Sequence, residues 1–378
     1  MSQPTIAALT EHFASLPDPR VVGRTAYPLE NIIFIAVTAV ICNVDTYTGM
    51  AVFAKAKRAW LAQYLDLSSG LPSHDTFNDV LSQLNPEEFE RCLLSWITAL
   101  VAVSEGQILA IDGKTVRGSA DRARNKAAIH MVSVWATQNH LSLGQMVVET
   151  KSNEITAIPK LLELVEISGG LVTIDAMGCQ KKIAAKIREQ GADYVLAVKQ
   201  NQGRLYEDVS SAFVAAMEED FVEWEHDTSE SEEKGHGRVE RRTYYTLPVQ
   251  EWVRDVAAWP DLTSLGLAIR ERQCNGQITL ESHFYIASRS LSAPEFAEAV
   301  RGHWGIENRL HWQLDVTFQE DASRIRKDHG PRNFSTLRRT ALSLLKQETT
   351  CKTGIAIKRK NAGWDDDYRE KVLMGAAV

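Results

Sequence analysis

An α/β fold on a mixed sheet, with a helical domain before it and a β-rich insertion inside it, is what this 378-residue chain predicts. Three observations carry the prediction. The first 105 residues place apolar side chains at helical spacing. Residues 106–204 then run strand, strand, strand, helix, strand, helix, strand. Residues 205–290 add further β-like runs joined by turns, before helical spacing returns at 291.

Composition narrows the class. Hydrophobic content of 44% and charged content of 24% are globular values and exclude wholesale disorder. The five cysteines are scattered without zinc-site spacing, and no secretory signal opens the chain, so a reducing cytoplasm is expected. The most apolar run, Ile32–Val44, falls short of the ~20 residues of a membrane span and reads as a buried helix. The net charge of −7 gives no global sign of a polyanionic partner, but its distribution is uneven. Between Arg301 and Lys360 thirteen Lys/Arg face six Asp/Glu, whereas Glu218–Glu233 holds nine acids and no Lys or Arg. Such asymmetry suits a nucleic-acid surface in one region only.

In the helical domain, residues 1–105, the buried run is followed by Phe53–Leu65, with Trp60 and Tyr64 at helical spacing. Ser73 occupies an N-cap position before Phe77, Val80, Leu81 and Leu84. Asn85-Pro86-Glu87-Glu88 is a second helix start, with a capping Asn, Pro at the first position and acids in the first turn. His74 and Asp75 invite a catalytic reading, but beside that cap a capping role is favoured.

In residues 106–204, strands are expected at Ile108–Asp112, His130–Gln138, Leu143–Thr150, Leu171–Asp175 and Tyr194–Val198, and helices at Ile155–Ile167 and Gln180–Gln190. A three-strand meander followed by helix, strand, helix and strand is the order of the ribonuclease H-like fold. The insertion, 205–290, opens with a helix at Leu205–Met217 and the acidic stretch. Strands follow at Arg242–Leu247, Leu265–Gln273 and Glu281–Ser288, the last two joined at Asn275-Gly276. Residues 291–350 begin a helix at Ser292-Ala293-Pro294-Glu295 and complete the core. Residues 351–378 are a polar tail, expected to be loosely ordered.

Asp112 and Asp175 are lone acids at the ends of apolar runs, LAID before Gly113 and VTID before Ala176, on strands this order makes neighbours. Taken singly, Asp112 reads better as a turn residue before glycine, and Asp175 equally as a cap for the following helix. Side by side, two carboxylates repel unless a cation lies between them, and magnesium or manganese is the hard cation suited to their oxygens. A two-metal phosphoryl-transfer site asks for a third acid from a helix packed on those strands. Glu307 fits, flanked by His303, Trp304, Arg309, His311 and Trp312, with Glu320 and Asp321 further on. A salt bridge from Glu307 to Arg301 or Arg309 is the competing reading. Arg324, Arg326, Lys327, Arg332, Arg338 and Arg339 would then line a path for a phosphate backbone. No Gly-rich phosphate loop follows a strand, which argues against a P-loop enzyme or an oxidoreductase.

HWGIENRLHWQLDVTFQEDASRIRKDHGPRNFSTLRR, Ile111-Asp112-Gly113-Lys114, Asp175-Ala176-Met177, FASLPDPR and GLPSHDTF together resemble the DDE transposases of bacterial insertion sequences. Within them the chain is most similar to the H-repeat-associated proteins found beside Rhs elements, from Phe13 to Lys346. The resemblance implies a ribonuclease H-like catalytic core with Asp112, Asp175 and Glu307 as its acids and metal ligands. The spacings are 63 (112 to 175) and 132 (175 to 307), the second long because the insertion interrupts the core. It implies Asp112 bridging two magnesium ions, Asp175 holding one and Glu307 the other, in metal-dependent cleavage and strand transfer of element ends.

Lys199, Asn201 and Gln202 in VKQNQG, and His236, Arg238 and Arg242 in HGRVERR, match family motifs and are expected at DNA, as are Arg324, Arg326 and Lys327. Lys114 and Arg117 read either as phosphate contacts or as solvated turn residues. The partners implied are double-stranded terminal inverted repeats and target DNA, bound as a homodimer in the cytoplasm at the nucleoid, with no membrane. One departure stands out. Where the broader superfamily carries a Tyr–Arg–Glu–Lys signature, this chain has Val300, His303 and Leu314 around Glu307, leaving DNA-end handling to His303, Arg301 and Arg309. Two alternatives remain: a transposase-derived DNA-binding protein that no longer mobilises an element, and a ribonuclease H-like nuclease of RNA or branched DNA.

Overall fold

The computed structural model describes residues 11–375 apart from 22, 24, 101–105, 122–123, 149–153 and 236. The N-terminal helices gather round α1 (Leu29–Ile41), in which every residue but Glu30 is buried. A helix apolar on all sides belongs at the centre of a bundle. The single helix expected over Phe53–Leu65 breaks at Lys57 into α2 (Tyr47–Ala56) and the short α3 (Arg58–Leu61). The two helix starts are as the capping residues require. Ser73 Oγ accepts from Thr76 N at 3.2 Å to begin α4 (His74–Gln83), and Asn85 Oδ1 accepts from Glu87 N at 3.0 Å to begin α5 (Pro86–Leu100).

The core strands are β1 (Ile108–Val116), β2 (Ile129–Ala136), β3 (Leu141–Val148), β4 (Leu171–Ile174) and β5 (Asp193–Val198). Helices α6 (Glu154–Leu162) and α7 (Lys181–Glu189) supply the crossovers. They lie in the order β3-β2-β1-β4-β5, with β2 antiparallel to both neighbours and β1, β4 and β5 mutually parallel.

After α8 (Gly203–Glu218), the insertion is not a separate sheet. Its strands β6 (Asp227–Gly235), β7 (Arg238–Pro248), β8 (Ser264–Cys274) and β9 (Gln277–Ala287) extend the same one to nine strands, through antiparallel pairing of β9 with β5. Part of the acidic stretch is the edge strand β6, which the sequence pattern did not predict. Glutamates are poor strand formers, but Glu232 lies opposite Arg241 in register and accepts from its Nε at 2.6 Å. That cross-strand pairing offsets the repulsion among the acids.

Helix α9 (Ala293–Ile306) starts with a Ser292–Glu295 capping box and packs across one face of the sheet, from β1 to β6. Gly302 packs against Ile108 of β1, while Arg301 pairs with Glu233 of β6, six strands away in sheet order. Two π-helical turns follow, Glu307–His311 and Gln313–Thr317, then α10 (Gly330–Gln347), which packs into the N-terminal bundle against α1, α4 and α5.

The C-terminal tail is ordered, against expectation. It forms α11 (Ile355–Trp364) and α12 (Asp366–Met374), which bury Lys358, Arg359 and Arg369. The Arg359 guanidinium donates to Val40 O and Asp45 Oδ1, both at 2.8 Å, and Lys57 Nζ donates to Asp366 Oδ1 at 2.7 Å. Arg359 is thus an internal staple between the two ends of the chain. Among the described residues no helix is long and apolar enough to cross a membrane.

Candidate active site

Parallel pairing places Ile111 opposite Ile174, so Asp112 and Asp175 stand at the same level on strands about 4.8 Å apart. β1 does not end at Asp112, as expected, but runs on to Val116, because β2 continues to pair with it. β4 does end at Ile174, and Asp175 Oδ1 accepts from Met177 N at 3.1 Å and Gly178 N at 3.3 Å, so it caps the turn as well as facing Asp112. Glu307, exposed, is the first residue of the π-helical stretch that continues α9. Such wide turns recur at functional sites because they rotate side chains off the regular helical lattice.

Burial pushes the Asp112 carboxyl up to about 7 against the pull of the Gly113 N–H, and the carboxylates of Asp175, Glu154 and Glu307 add to the rise. Four acids therefore converge on one point. Among the described residues no three His, Cys, Asp or Glu side chains lie close enough to hold an ion as they stand. The all-oxygen donor set is the kind a hard divalent cation takes.

Glu154 escaped the sequence reading, since nothing in its surroundings distinguishes it from an ordinary first-turn acid. It is buried at the start of α6, 2.5 Å from His130 Nε2, whose Nδ1 lies 2.8 Å from Thr115 Oγ1. Glycine is required at 113 to admit this pair: a Cβ there would lie 2.7 Å from His130 Nε2. His311, noted in sequence only as a neighbour of Glu307, puts Nδ1 3.4 Å from Asp112 Oδ2. Burial, with Arg339 and Lys114 nearby, pushes its imidazole down to about 3, so it is neutral. His303 is turned inward, with Nδ1 3.2 Å from Thr173 Oγ1, and burial lowers it too.

The residues expected at DNA divide into two groups. Lys114 is not a phosphate contact: its side chain is 7% exposed and its Nζ lies 2.7 Å from Asp315 Oδ1 and 3.1 Å from Glu320 Oε2. Glu320 is fully buried, and although burial alone would raise it, Lys114, Arg338 and Arg339 hold it down at about 2. Arg338 and Arg339 are themselves buried, Arg332 turns toward Glu87 and Glu90, and Lys327 pairs with Asp79 at 2.7 Å, so the phosphate path expected along them is not formed. The Asn201 amide donates to Ala176 O at 2.7 Å and that of Gln202 to Cys179 O at 2.9 Å. Both side chains brace the turn after Asp175. Arg326 is partly buried, with Nε donating to Gly118 O at 3.3 Å.

Arg117, Lys199, Arg238, Arg301, Arg309 and Arg324 are exposed, while Arg242 is largely covered between Glu233 and Glu240. His236 lies outside the described residues. A cleft of about 820 Å³ opens between the C-terminal half of α9 and strands β6–β9, lined by Arg238, Arg242, Arg270, Arg272, Arg301 and Arg309. Arg270 and Arg272 were not singled out in the sequence, because neither sits in a motif. Trp304 also lines the cleft, with the Arg270 guanidinium 5.3 Å from its ring centre.

The chain is similar to known proteins over most of its length. Residues 104–344 match the family model described as Transposase DDE domain, and residues 10–97 match the one described as DDE_Tnp_1-associated. "Putative transposase YncI" of Escherichia coli O157:H7 is 39% identical over 99% of this chain and 96% of its own. "H repeat-associated putative transposase YhhI" of E. coli K12 is 36% identical, and "Putative protein YbfL" of the same strain 37%, each over 98% of both chains. A solved piggyBac transposase synaptic complex with hairpin DNA aligns loosely, at a TM-score of 0.42 and 10% identity over 95% of this chain and 76% of that one. The chain belongs to the DDE transposase family, among relatives that include the H repeat-associated proteins.

Proposed function

We propose that this protein cuts and joins the DNA ends of an insertion sequence, with Asp112, Asp175 and Glu307 as its metal-holding acids in a ribonuclease H-like core. The observation that carries the reading is the convergence on Asp112. A carboxylate raised to about 7 chiefly by burial, with three other acids adding to the rise, level with Asp175 on the neighbouring parallel strand, asks for a cation. Magnesium, or manganese in its place, supplies Lewis-acid charge at the phosphorus under attack and at the departing oxygen. Asp112 faces both Asp175 and Glu307 and is the carboxylate suited to the shared position. Neutral His311 holds one face of Asp112, and Asn201 and Gln202 keep the turn bearing Asp175 in place. Arg117, Lys199, Arg324 and the arginines of the cleft take the phosphate backbone of a terminal inverted repeat. A second copy of the chain on the other end, in the cytoplasm at the nucleoid, completes the reading.

Asp112→Asn, Asp175→Asn and Glu307→Gln are each expected to abolish magnesium-dependent nicking of element-end DNA while leaving its affinity for that DNA unchanged. Full nicking by any of them overturns the assignment. The competing reading is a transposase-derived DNA binder that no longer mobilises an element. Wild-type protein that binds ends and never nicks them would establish it.

A further inference from the structure

Asp112 and Lys114 are two residues apart on β1 and so project to the same face of the sheet. Asp112 lies within the electrostatic reach of Glu307, and Lys114 meets the chain that follows Glu307. Its Nζ lies 2.7 Å from Asp315, 3.1 Å from Glu320 and 3.6 Å from Asp321. Glu320 is anchored in turn by Ser335 Oγ, which donates to its Oε1 at 2.8 Å, and by Arg338 at 3.9 Å. The loop after β1 continues the contact. Arg117 N donates to Asp321 Oδ1 at 3.0 Å, Lys126 Nζ donates to Arg326 O at 3.1 Å, and a Cβ on Gly118 would lie 2.7 Å from Asp321 O. Residues 114–118 and Lys126 thus form a clasp with 315–326, between the strand of Asp112 and the segment of Glu307. Outside it, Glu307 sits on π-helical turns whose hydrogen bonding is weaker than an α-helix's and which do not fix its position alone.

We propose that Lys114 is a positioning residue that ties the Glu307 segment to β1 and so sets the separation of Asp112 and Glu307, rather than a contact to DNA. This rests on the acids acting as proposed above. Replacing Lys114 by Met leaves Glu320 buried without its nearest cation and releases Asp315 and Asp321, so the segment loses its tether. Supporting groups around a metal site change affinity or activity by about 10- to 100-fold when removed.

The test compares the metal-free, full-length wild type with Lys114→Met, Lys114→Arg and Asp321→Asn, the last a milder lesion should the first fail to fold. Hydrogen exchange followed by mass spectrometry is expected to show at least about ten-fold faster exchange in residues 307–321 of Lys114→Met, with β4 and β5 unchanged. Lys114→Arg and Asp321→Asn should fall between. Nicking of end DNA should slow by about 10- to 100-fold, with DNA affinity and its salt dependence unchanged and partial recovery in Lys114→Arg. Unaltered exchange in 307–321 for every variant overturns the proposal. So does a salt dependence shallower by about one counterion, the mark of a lost phosphate contact. A wild type that never nicks overturns the catalytic reading instead, and leaves the exchange comparison to decide whether Lys114 holds the segment.

Discussion

Replacing Asp112 by Asn should stabilise the metal-free protein, and by an amount that depends on pH. In the fold, burial and three neighbouring acids raise this carboxyl from its ordinary 3.8 to about 7. At about 1.4 kcal/mol for each pH unit, ionising it above pH 7 costs the folded state about 4 kcal/mol relative to the unfolded chain. The sign follows from proton counting. Between pH 3.8 and 7 the folded protein keeps a proton that the unfolded chain has lost, so stability falls as pH rises through this window. Below the window the penalty vanishes, and above it the penalty is complete.

The assay is urea unfolding of wild type and Asp112→Asn in a chelator, at pH 5 and pH 8. The advantage of the variant should be largest at pH 8 and should shrink by more than half at pH 5. Magnesium should then stabilise the wild type at pH 8 and leave the variant almost unmoved. An advantage independent of pH, or none, would show that Asp175, Glu154 and Glu307 do not press on Asp112, and the converging site would be refuted.

Other perturbations test the supports. Gly113→Ala should lower stability by about 1–3 kcal/mol, because its Cβ would meet His130 and Glu154, whereas Gly203→Ala, with open space around it, should be neutral in the same urea titration. Arg359→Met should cost about 3–5 kcal/mol, since it removes the guanidinium's bonds to Val40 O and breaks the buried pair with Asp45. The loss would appear as a lower urea midpoint and as freer exchange in α11 and α12.

The core was legible because its signals are local. LAID and VTID announce buried strands carrying lone acids, and the order of three strands, helix and strand sets the two side by side. The helix bearing Glu307 was legible from its mixture of aromatic and basic neighbours. What was hidden depends on partners distant in sequence. Lys114 looks like a solvated turn residue until Asp315 and Glu320, about two hundred positions on, close over it. Glu154 acquires meaning only from His130 and Gly113 on other elements. The acidic β6 lacks strand propensity and gains its form from the arginines of β7, while the polar tail hides its guanidiniums among carbonyls of the N-terminal helices. Periodicity reports which face of an element is buried. It does not report a charge neutralised from elsewhere.

The continuity of the nine-stranded sheet has a mechanical consequence. Past its pairing with β5, strand β9 runs on from His283 back to Gln277, carrying the β6–β9 hairpins about 24 Å beyond the level of Phe284, toward the end of the sheet that holds the acids. An insertion hung on flexible linkers would let that projection swing independently. Hydrogen-bonded into the sheet and strapped to α9 by Arg301 and Glu233, it behaves as a stiff lever. Arg301 lies six residues, about 9 Å of helix, from Glu307. The hairpins are thereby coupled to α9, the helix from which the turn bearing Glu307 directly continues.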